Sequence, residues 1–377
     1  MEFGFTAFGW GLCVLIMPLS LHRMVCSRKK GVNLMNKLTD WIKSHQVTAF
    51  FIIAFAISWG LGFTMDAVMN KGIFLLAPLA FIALCGPALA GIIISAVSNI
   101  QPKEGTKRTY WVAFLVAWAV SALVFLANNT FINHAPFSPV MVGFTLVSVV
   151  PVAFVISMAY SRIPAVKRYL ASLIRLRGVW GWSLLALVLV PALVLLSIPV
   201  SSLLGRQPIA AHYFTDTGLA LFGLIAVKFL YQFFFFNATG EEAGWRGFAL
   251  PRMQSLISPL VACLVLNLFW GLWHLFPWMA EGRPVFTPEY WGRTYLELLP
   301  GTVVLGWLYN RSRGSILVAG IAHAAANTAY AFFPNLDWTV FNWTVAVAAL
   351  VMIVVDRMWK KLPSDHPAAY RNPTLDG

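Results

Sequence analysis

Charged residues are scarce in this sequence, and acidic residues are the scarcest. Only 11% of the 377 residues are charged, with 14 Asp and Glu against 27 Lys and Arg, whereas roughly a quarter of the residues of a soluble domain are charged. In place of charge, apolar runs of about 20 residues recur, each long enough to cross a hydrocarbon core of about 30 Å as a helix. The composition excludes an ordinary soluble domain and predicts an integral membrane protein.

Cysteine is scarcer still. The chain has four, Cys13, Cys26, Cys85 and Cys263, all in or beside apolar segments and without CxxC spacing. This pattern indicates neither a disulfide framework nor a cysteine metal site. We interpret the four as small packing residues, because free cysteine behaves as a small hydrophobe.

The excess of basic residues, which gives a net charge of +13, does not indicate a nucleic-acid partner. The basic residues lie in short loops between apolar runs, without an aromatic-laced patch. If the loops alternate sides, most of the basic residues fall on one side. The positive-inside rule then places the N-terminus outside and the C-terminus in the cytoplasm, and we expect the membrane to be a bacterial inner (plasma) membrane.

The hydropathy pattern predicts an all-α fold, a polytopic transmembrane helical bundle of about 10–11 spans. The first span could instead be a signal-like segment, although it lacks the basic n-region of a secretory signal peptide. The candidate spans are 3–21, 47–68, 73–98, 110–127, 138–160, 180–203, 217–237, 259–278, 295–310, 315–333 and 338–356.

Ionisable side chains in this apolar chain need an explanation, because each costs about 2.5 to 3.5 kcal/mol at membrane depth. The most prominent group is FFNATGEEAGWRGFALP, which carries Glu241, Glu242 and Arg246. If a helix starts after a break at 237–240, Glu242 and Arg246 stand at i and i+4 in the orientation favoured for an ion pair. Glu241 then points elsewhere and is available as a general base or a metal ligand. The alternative is an ordinary helix start, with acids near its N-terminus.

Two further segments carry polar residues in apolar surroundings. Trp270-Gly-Leu-Trp-His274 places a histidine late in a span, and Asn267, on the same helix face, could steady it. His323-Ala-Ala-Ala-Asn327 stacks two hydrogen-bonding side chains on one helix face. Taken singly, each segment is also explained by interhelical hydrogen bonding or close helix packing.

Together these residues can build a hydrolytic site. A carboxylate with two histidines is a known three-ligand zinc set, so Glu241, His274 and His323 would hold a divalent metal such as zinc if one is present. The same groups can also work without metal. Glu241 then accepts a proton from water, His274 orients the water, and His323 with Asn327 stabilises the oxyanion of an attacked amide. Both mechanisms require these side chains to converge within hydrogen-bond or one-water distance.

The three motifs, in this order, resemble those of the CPBP family, the CAAX-protease and bacteriocin-processing intramembrane proteases, also called the Abi family. The family pattern is two glutamates, three residues and an arginine, then an aromatic residue four before a histidine, then a histidine four before an asparagine. The phrases GWRGFALPRMQ, GLWHLFP and RGSILVAGIAHAAAN are also similar to the family, and the strong match covers about 240–327. Trp270 stands where the eukaryotic-type pattern has phenylalanine, so the aromatic body is kept.

The resemblance implies a helical membrane hydrolase that cuts peptide bonds within or beside the bilayer, as a metalloprotease or without metal. Its partners would be the lipid bilayer and a membrane-associated substrate, either a CAAX-type prenylated protein, a leader peptide or a bacteriocin precursor. The resemblance implies catalytic roles for Glu241, His274, His323 and Asn327, with Glu242, Arg246 and Trp270 in support.

Two other classes of function are weighed against the protease. A catalytically silent membrane scaffold or immunity protein would keep the fold, but a binding role gives no reason to retain all three motifs. A transporter is disfavoured by the absence of an inverted repeat.

We divide the chain into three parts. Residues 1–46 form an N-terminal anchor span with a basic cytoplasmic loop, and 47–356 form the multi-spanning domain with its catalytic core at about 217–333. Residues 357–377 are a cytoplasmic tail, whose prolines predict that it is disordered.

Overall fold

The fold is given by a computed structural model that describes residues 28–69, 74–206, 218–280, 282–333 and 335–371. Two compact units are distinguished, Met1–Gln46 and Val47–Gly377. In the first, the described residues form one helix, α1 (Arg28–Ser44). The predicted span 3–21 lies outside the described residues, as do Cys13 and Cys26. Cys85 and Cys263 are free and buried, as predicted for packing residues.

The described residues contain helices and no strand, which confirms the predicted all-α fold. Short 3₁₀ or π-helical turns extend several helices, among them Phe74–Leu79, Asn128–Ile132 and Met158–Tyr160. The helices that follow α1 are α2 (Gln46–Met69), α3 (Ala80–Leu84), α4 (Gly86–Val97), α5 (Lys107–Ala127), α6 (Pro139–Ser148), α7 (Val150–Ser157), α8 (Pro164–Ile174), α9 (Trp180–Leu203), α10 (Leu219–Gln232), α11 (Leu250–Gln254), α12 (Pro259–Trp273), α13 (Leu275–Ala280), α14 (Pro288–Arg311), α15 (Ile316–Phe332) and α16 (Trp338–Val355).

Fewer helices than predicted are long and apolar enough to cross a membrane. The described residues contain seven, or up to eight if the pair Ala77–Leu84 and Gly86–Val97, bent by 59°, forms one span. The predicted span 295–310 is the second half of α14, whose first half carries charged residues. The predicted span 315–333 is α15, which has only 17 residues. The chain is an integral membrane protein, and among its described residues fewer helices meet this length and composition test than the hydropathy pattern predicts.

Segments that are distant in the sequence contact one another at the connections and helix ends of the second unit. The side-chain oxygen of Asn99 accepts a hydrogen bond from the Ala165 amide at 3.1 Å. The Leu260 amide likewise donates to the Met358 carbonyl at 2.9 Å. Arg206 and Asp337, from two other connections, form an ion pair at 2.8 Å.

The C-terminal segment 358–371 is ordered, so the prediction of a disordered tail is wrong for these residues. The Tyr370 amide donates to the Pro251 carbonyl at 3.0 Å, and Gln254 donates to the Ala368 carbonyl at 3.2 Å. Ala368 is completely buried. The prolines of this segment disfavour a helix. Its backbone groups nevertheless find hydrogen-bond partners on α11, and these contacts order the chain.

The predicted helix break at 237–240 is also wrong. α10 runs without interruption through two π-helical segments, Phe233–Glu242 and Trp245–Ala249, into α11. We call this continuous helix, Leu219–Gln254, the site helix. Its small residues allow close packing rather than a turn: a Cβ added to Gly240 would lie 3.0 Å from the Leu84 carbonyl oxygen. Glycine is needed here because the backbone of α3 approaches the site helix directly.

Candidate active site

The site helix carries both glutamates in a widened stretch of backbone. Glu241 and Glu242 are the last two residues of the first π-helical segment, and both are buried. π-Helical turns are rare and frequently mark functional sites. Adjacent side chains of a helix point in different directions, and the two neighbouring carboxylates bind different partners.

Glu242 is the centre of a buried charged cluster. Its Oε1 accepts hydrogen bonds from Arg246 Nη1 at 2.7 Å and from His323 Nδ1 at 2.8 Å. Glu242 and Arg246 have no exposed side-chain surface. The predicted ion pair at i and i+4 is therefore present. The histidine that completes it comes from α15, a partner that spacing along one helix could not reveal.

Glu241 faces a second cluster, made with α12. Its Oε2 accepts a hydrogen bond from Trp270 Nε1 at 2.5 Å and lies 3.9 Å from His274 Nε2. His274 Nδ1 lies 2.7 Å from the Trp270 carbonyl oxygen, which can only accept. Nδ1 must therefore carry a proton, and in neutral His274 the lone pair is on Nε2, the nitrogen that faces Glu241.

The four predicted catalytic side chains line one cavity of about 750 Å³, with Trp270 between them. The ring centroids of Trp270 and His323 are 5.5 Å apart, so the end of α12 meets the middle of α15. Asn327 Nδ2 donates to Asn237 Oδ1 at 3.4 Å. Glu241, His274, His323 and Asn327 therefore line the same cavity.

Two contacts of this site were not predicted. Trp270 was named only as a supporting aromatic residue, yet its indole N–H binds Glu241. Asn237, which is fully buried, was read as part of a helix break, yet it holds Asn327. Its position four residues before Glu241, one helical turn away, is the signal in the sequence that could have identified it.

Asn267 does not have the contact suggested for it. Its side chain donates to the Tyr295 carbonyl at 3.0 Å and accepts from the Thr302 hydroxyl at 2.9 Å. It therefore joins α12 to α14 and does not steady His274, whose Nδ1 is oriented by the Trp270 carbonyl instead.

The residues as placed do not fit a three-ligand metal site. His323 Nδ1 is bound to Glu242, and the Arg246 guanidinium lies 4.6 Å from the centroid of the Trp270 ring. Among the residues that the structure describes, no group of three or more His, Cys, Asp and Glu side chains is arranged to hold a metal ion. We derive no step through a metal.

The fold and this cavity define a polytopic helical membrane protein with a glutamate and histidine centre inside the helix bundle. Comparison with known proteins gives the same result. Residues 222–329 match the sequence model of the family described as type II CAAX prenyl endopeptidase Rce1-like. The resemblance to the CPBP family is thereby confirmed for this part of the chain, which contains all three motifs.

A curated relative is similar over a wider region. CAAX prenyl protease 2 of Methanococcus maripaludis is 32% identical over 146 residues, which are 37% of this chain and 52% of the relative. The chain thus spans about half the length of the curated relative that it matches. The similarity supports a CAAX prenyl protease-like chain in the region that contains the cavity.

Proposed function

We propose that this protein is an intramembrane endopeptidase that hydrolyses peptide bonds of membrane-associated substrates. CAAX-type prenylated proteins are the first substrate class to test, because the matching family and the relative are both named for CAAX prenyl proteolysis. The observation that carries the proposal is the pair formed by Glu241 Oε2 and His274 Nε2. These two acceptors are 3.9 Å apart and face one cavity.

The pair suits the activation of water. A water that donates one hydrogen to Glu241 and the other to His274 turns its oxygen lone pair toward a peptide carbonyl. As the oxygen attacks the carbonyl carbon, Glu241 takes the proton as general base. Glu241 then delivers that proton to the departing amine nitrogen, the C–N bond breaks, and the products are a carboxylic acid and an amine.

His323 and Asn327 are assigned to the oxyanion of the tetrahedral intermediate. Donors fixed in a site that excludes water stabilise such an oxyanion strongly. Asn327 uses one N–H of its amide on Asn237, which leaves the other for the oxyanion. His323 binds Glu242 through Nδ1, so it can donate from Nε2 only when both ring nitrogens carry a proton.

We propose the same orientation that the basic residues predicted, with the N-terminus outside and the C-terminus in the cytoplasm of a bacterial inner membrane. The excess of basic residues in one of the two alternating sets of connections supports this orientation. Cysteine labelling from each side of sealed vesicles, at an engineered position near Asn99 and at one near Arg206, tests it. Labelling of both from the same side would contradict it.

The proposed function is tested with Glu241→Gln. Purified protein in liposomes is given a quenched fluorescent, farnesylated peptide that ends in a CAAX sequence. We expect cleavage by the wild type and a loss of at least about 100-fold in kcat for the variant, because general-base catalysis contributes about 10²- to 10⁴-fold. The glutamine keeps the size of the side chain, and insertion is checked by thermal unfolding.

The outcomes separate the remaining possibilities. Cleavage of a leader peptide or bacteriocin precursor, but not of the farnesylated peptide, would keep the protease and change its substrate class. Cleavage that is sensitive to chelators and restored by zinc would favour the metalloprotease mechanism. Unchanged cellular function of the Glu241→Gln variant would favour a catalytically silent scaffold or immunity protein.

A further inference from the structure

We infer that Trp270 is a positioning residue that sets both reacting groups of the site, Glu241 through its indole N–H and His274 through its backbone carbonyl. This inference rests on the proposed function, and it assigns to the indole nitrogen a task that an aromatic ring alone cannot perform.

The indole of Trp270 contacts Glu241 directly. The indole Nε1 and Glu241 Oε2 are 2.5 Å apart, and both residues are buried. An indole N–H can only donate, and a carboxylate oxygen accepts best when it is ionised. The bond therefore fixes the orientation in which the Glu241 carboxylate faces His274. The donor lies on α12 and the acceptor on the site helix, so this bond joins the two helices at the cavity.

The backbone of Trp270 contacts His274. The Trp270 carbonyl accepts a hydrogen bond from His274 Nδ1–H, which directs the Nε2 lone pair toward Glu241. His274 lies one helical turn after Trp270. A shift of the Trp270 backbone therefore moves its contact with Glu241 and its contact with His274 together. The spacing between base and histidine is thus set by one residue of α12.

Two neighbouring side chains hold the indole of Trp270 in place. The Arg246 guanidinium lies over the Trp270 ring at 4.6 Å, and His323 meets the ring edge-on at 86°. These are the two residues that bind Glu242. The buried charged cluster therefore fixes the plane of the indole, and the indole N–H in turn fixes Glu241.

The variant Trp270→Phe removes the N–H and keeps an aromatic ring. We expect kcat on the farnesylated peptide to fall about 10- to 100-fold, the range of a hydrogen bond to a charged group. KM should stay within about twofold, since the indole N–H binds the protein's own carboxylate. The acidic limb of the kcat profile should move to higher pH, because a carboxylate that loses a donor takes up a proton more readily.

Trp245→Phe is the matched control. Trp245 is also fully buried beside this site, and its indole nitrogen has no hydrogen-bond partner among the described residues. Replacing it removes the same atoms from the protein without removing a hydrogen bond. We expect kcat and its acidic limb to stay close to those of the wild type, with a comparable loss of thermal stability in both variants.

A second substitution covers the case in which Trp270→Phe does not fold. Incorporation of 3-benzothienylalanine at position 270 replaces the N–H by sulfur and keeps the two-ring shape. The inference predicts the same fall in kcat and the same shift of the acidic limb. Equal kcat profiles for this variant and the wild type would overturn it, since only the donor has been removed.

The results distinguish this inference from the proposed function. If Glu241→Gln is inactive while both tryptophan variants behave alike, Trp270 acts only by packing and the inference is wrong, but the protease stands. If Glu241→Gln still cleaves the peptide, the assignment of Glu241 as general base fails and takes the inference with it, whereas a wild type that cleaves none of the tested substrates contradicts the proposed function itself. An inactive Glu241→Gln with a shifted limb in the position-270 variants alone supports both.

Discussion

The buried cluster around Glu242 gives a quantitative test of the structure. Arg246→Met replaces the guanidinium by an unbranched apolar side chain of similar length. Glu242 Oε1 then keeps His323 as its only donor, since its two observed partners are Arg246 and His323. The other carboxylate oxygen, Oε2, has no partner among the described residues.

The magnitude follows from burial. Glu242 and Arg246 have no exposed side-chain surface, so water does not replace the lost bond. Removing one partner of a buried ion pair costs about 3 to 5 kcal/mol, because it leaves a charge without compensation in a medium of low dielectric. We therefore expect Arg246→Met to lower the free energy of unfolding by about that amount.

The double variant Glu242→Met with Arg246→Met should be more stable than Arg246→Met alone. Replacing both members of a buried pair by apolar residues is often neutral or stabilising by about 1 to 4 kcal/mol. Here His323 also loses its acceptor, which offsets about 1 to 3 kcal/mol of that gain. The two terms roughly cancel, so the double variant should lie near the wild type and the second substitution should restore about 3 to 5 kcal/mol, a coupling that residues in contact show and distant residues do not.

The assay is reversible unfolding in bicelles, with the wild type, the two single variants and the double variant measured together. Activity is not needed, so the result does not depend on the proposed substrate. Losses that add without coupling, or a cost below about 1 kcal/mol for Arg246→Met, would show that the charges are not paired in a dry interior and would refute the reasoning.

Two further predictions concern packing and pH. Gly244→Ala should lower the free energy of unfolding by about 1 to 3 kcal/mol, because its Cβ would lie 2.4 Å from the Pro87 Cβ. Gly223→Ala, in α10 with open space around it, should not destabilise the protein. Equal unfolding curves for the two variants would contradict this prediction. Burial lowers the pKa of His366 below its ordinary value of 6.5, so neutral His366, which accepts the Ala368 amide at 3.2 Å, stabilises the C-terminal segment above about pH 6.5. That stabilisation should be lost as the pH falls through the lowered pKa, and hydrogen-exchange protection of Ala368, corrected for the intrinsic rate, should fall with it; constant protection down to pH 4 would be the opposite result.

Much of the site could be predicted because its signals are local. The ion pair of Glu242 and Arg246 needs only residues one helical turn apart, and apolar runs identify membrane helices without knowledge of their neighbours. The spacing of each histidine motif also placed its side chains on one helix face. These features depend on helix geometry, which is the same in every helix.

Other features depended on contacts between segments distant in sequence. The stretch 237–240 has the small and polar residues of a turn, yet it continues as a π-helix because α3 approaches closely enough to require Gly240. The C-terminal segment has the prolines of a disordered tail, yet α11 supplies partners for Ala368 and Tyr370. In both places a tertiary contact overrode a correct reading of local preference.

The sequence by itself determined that this chain is a helical membrane protein and that Glu242 and Arg246 form an ion pair, and it named four of the side chains that line the cavity. Only the tertiary structure decided that His323 joins that pair and that the indole of Trp270 binds Glu241. Both bonds cross between helices far apart in the chain. Their partners are chosen by which helix faces meet when the bundle closes, and no spacing along a single helix encodes that choice.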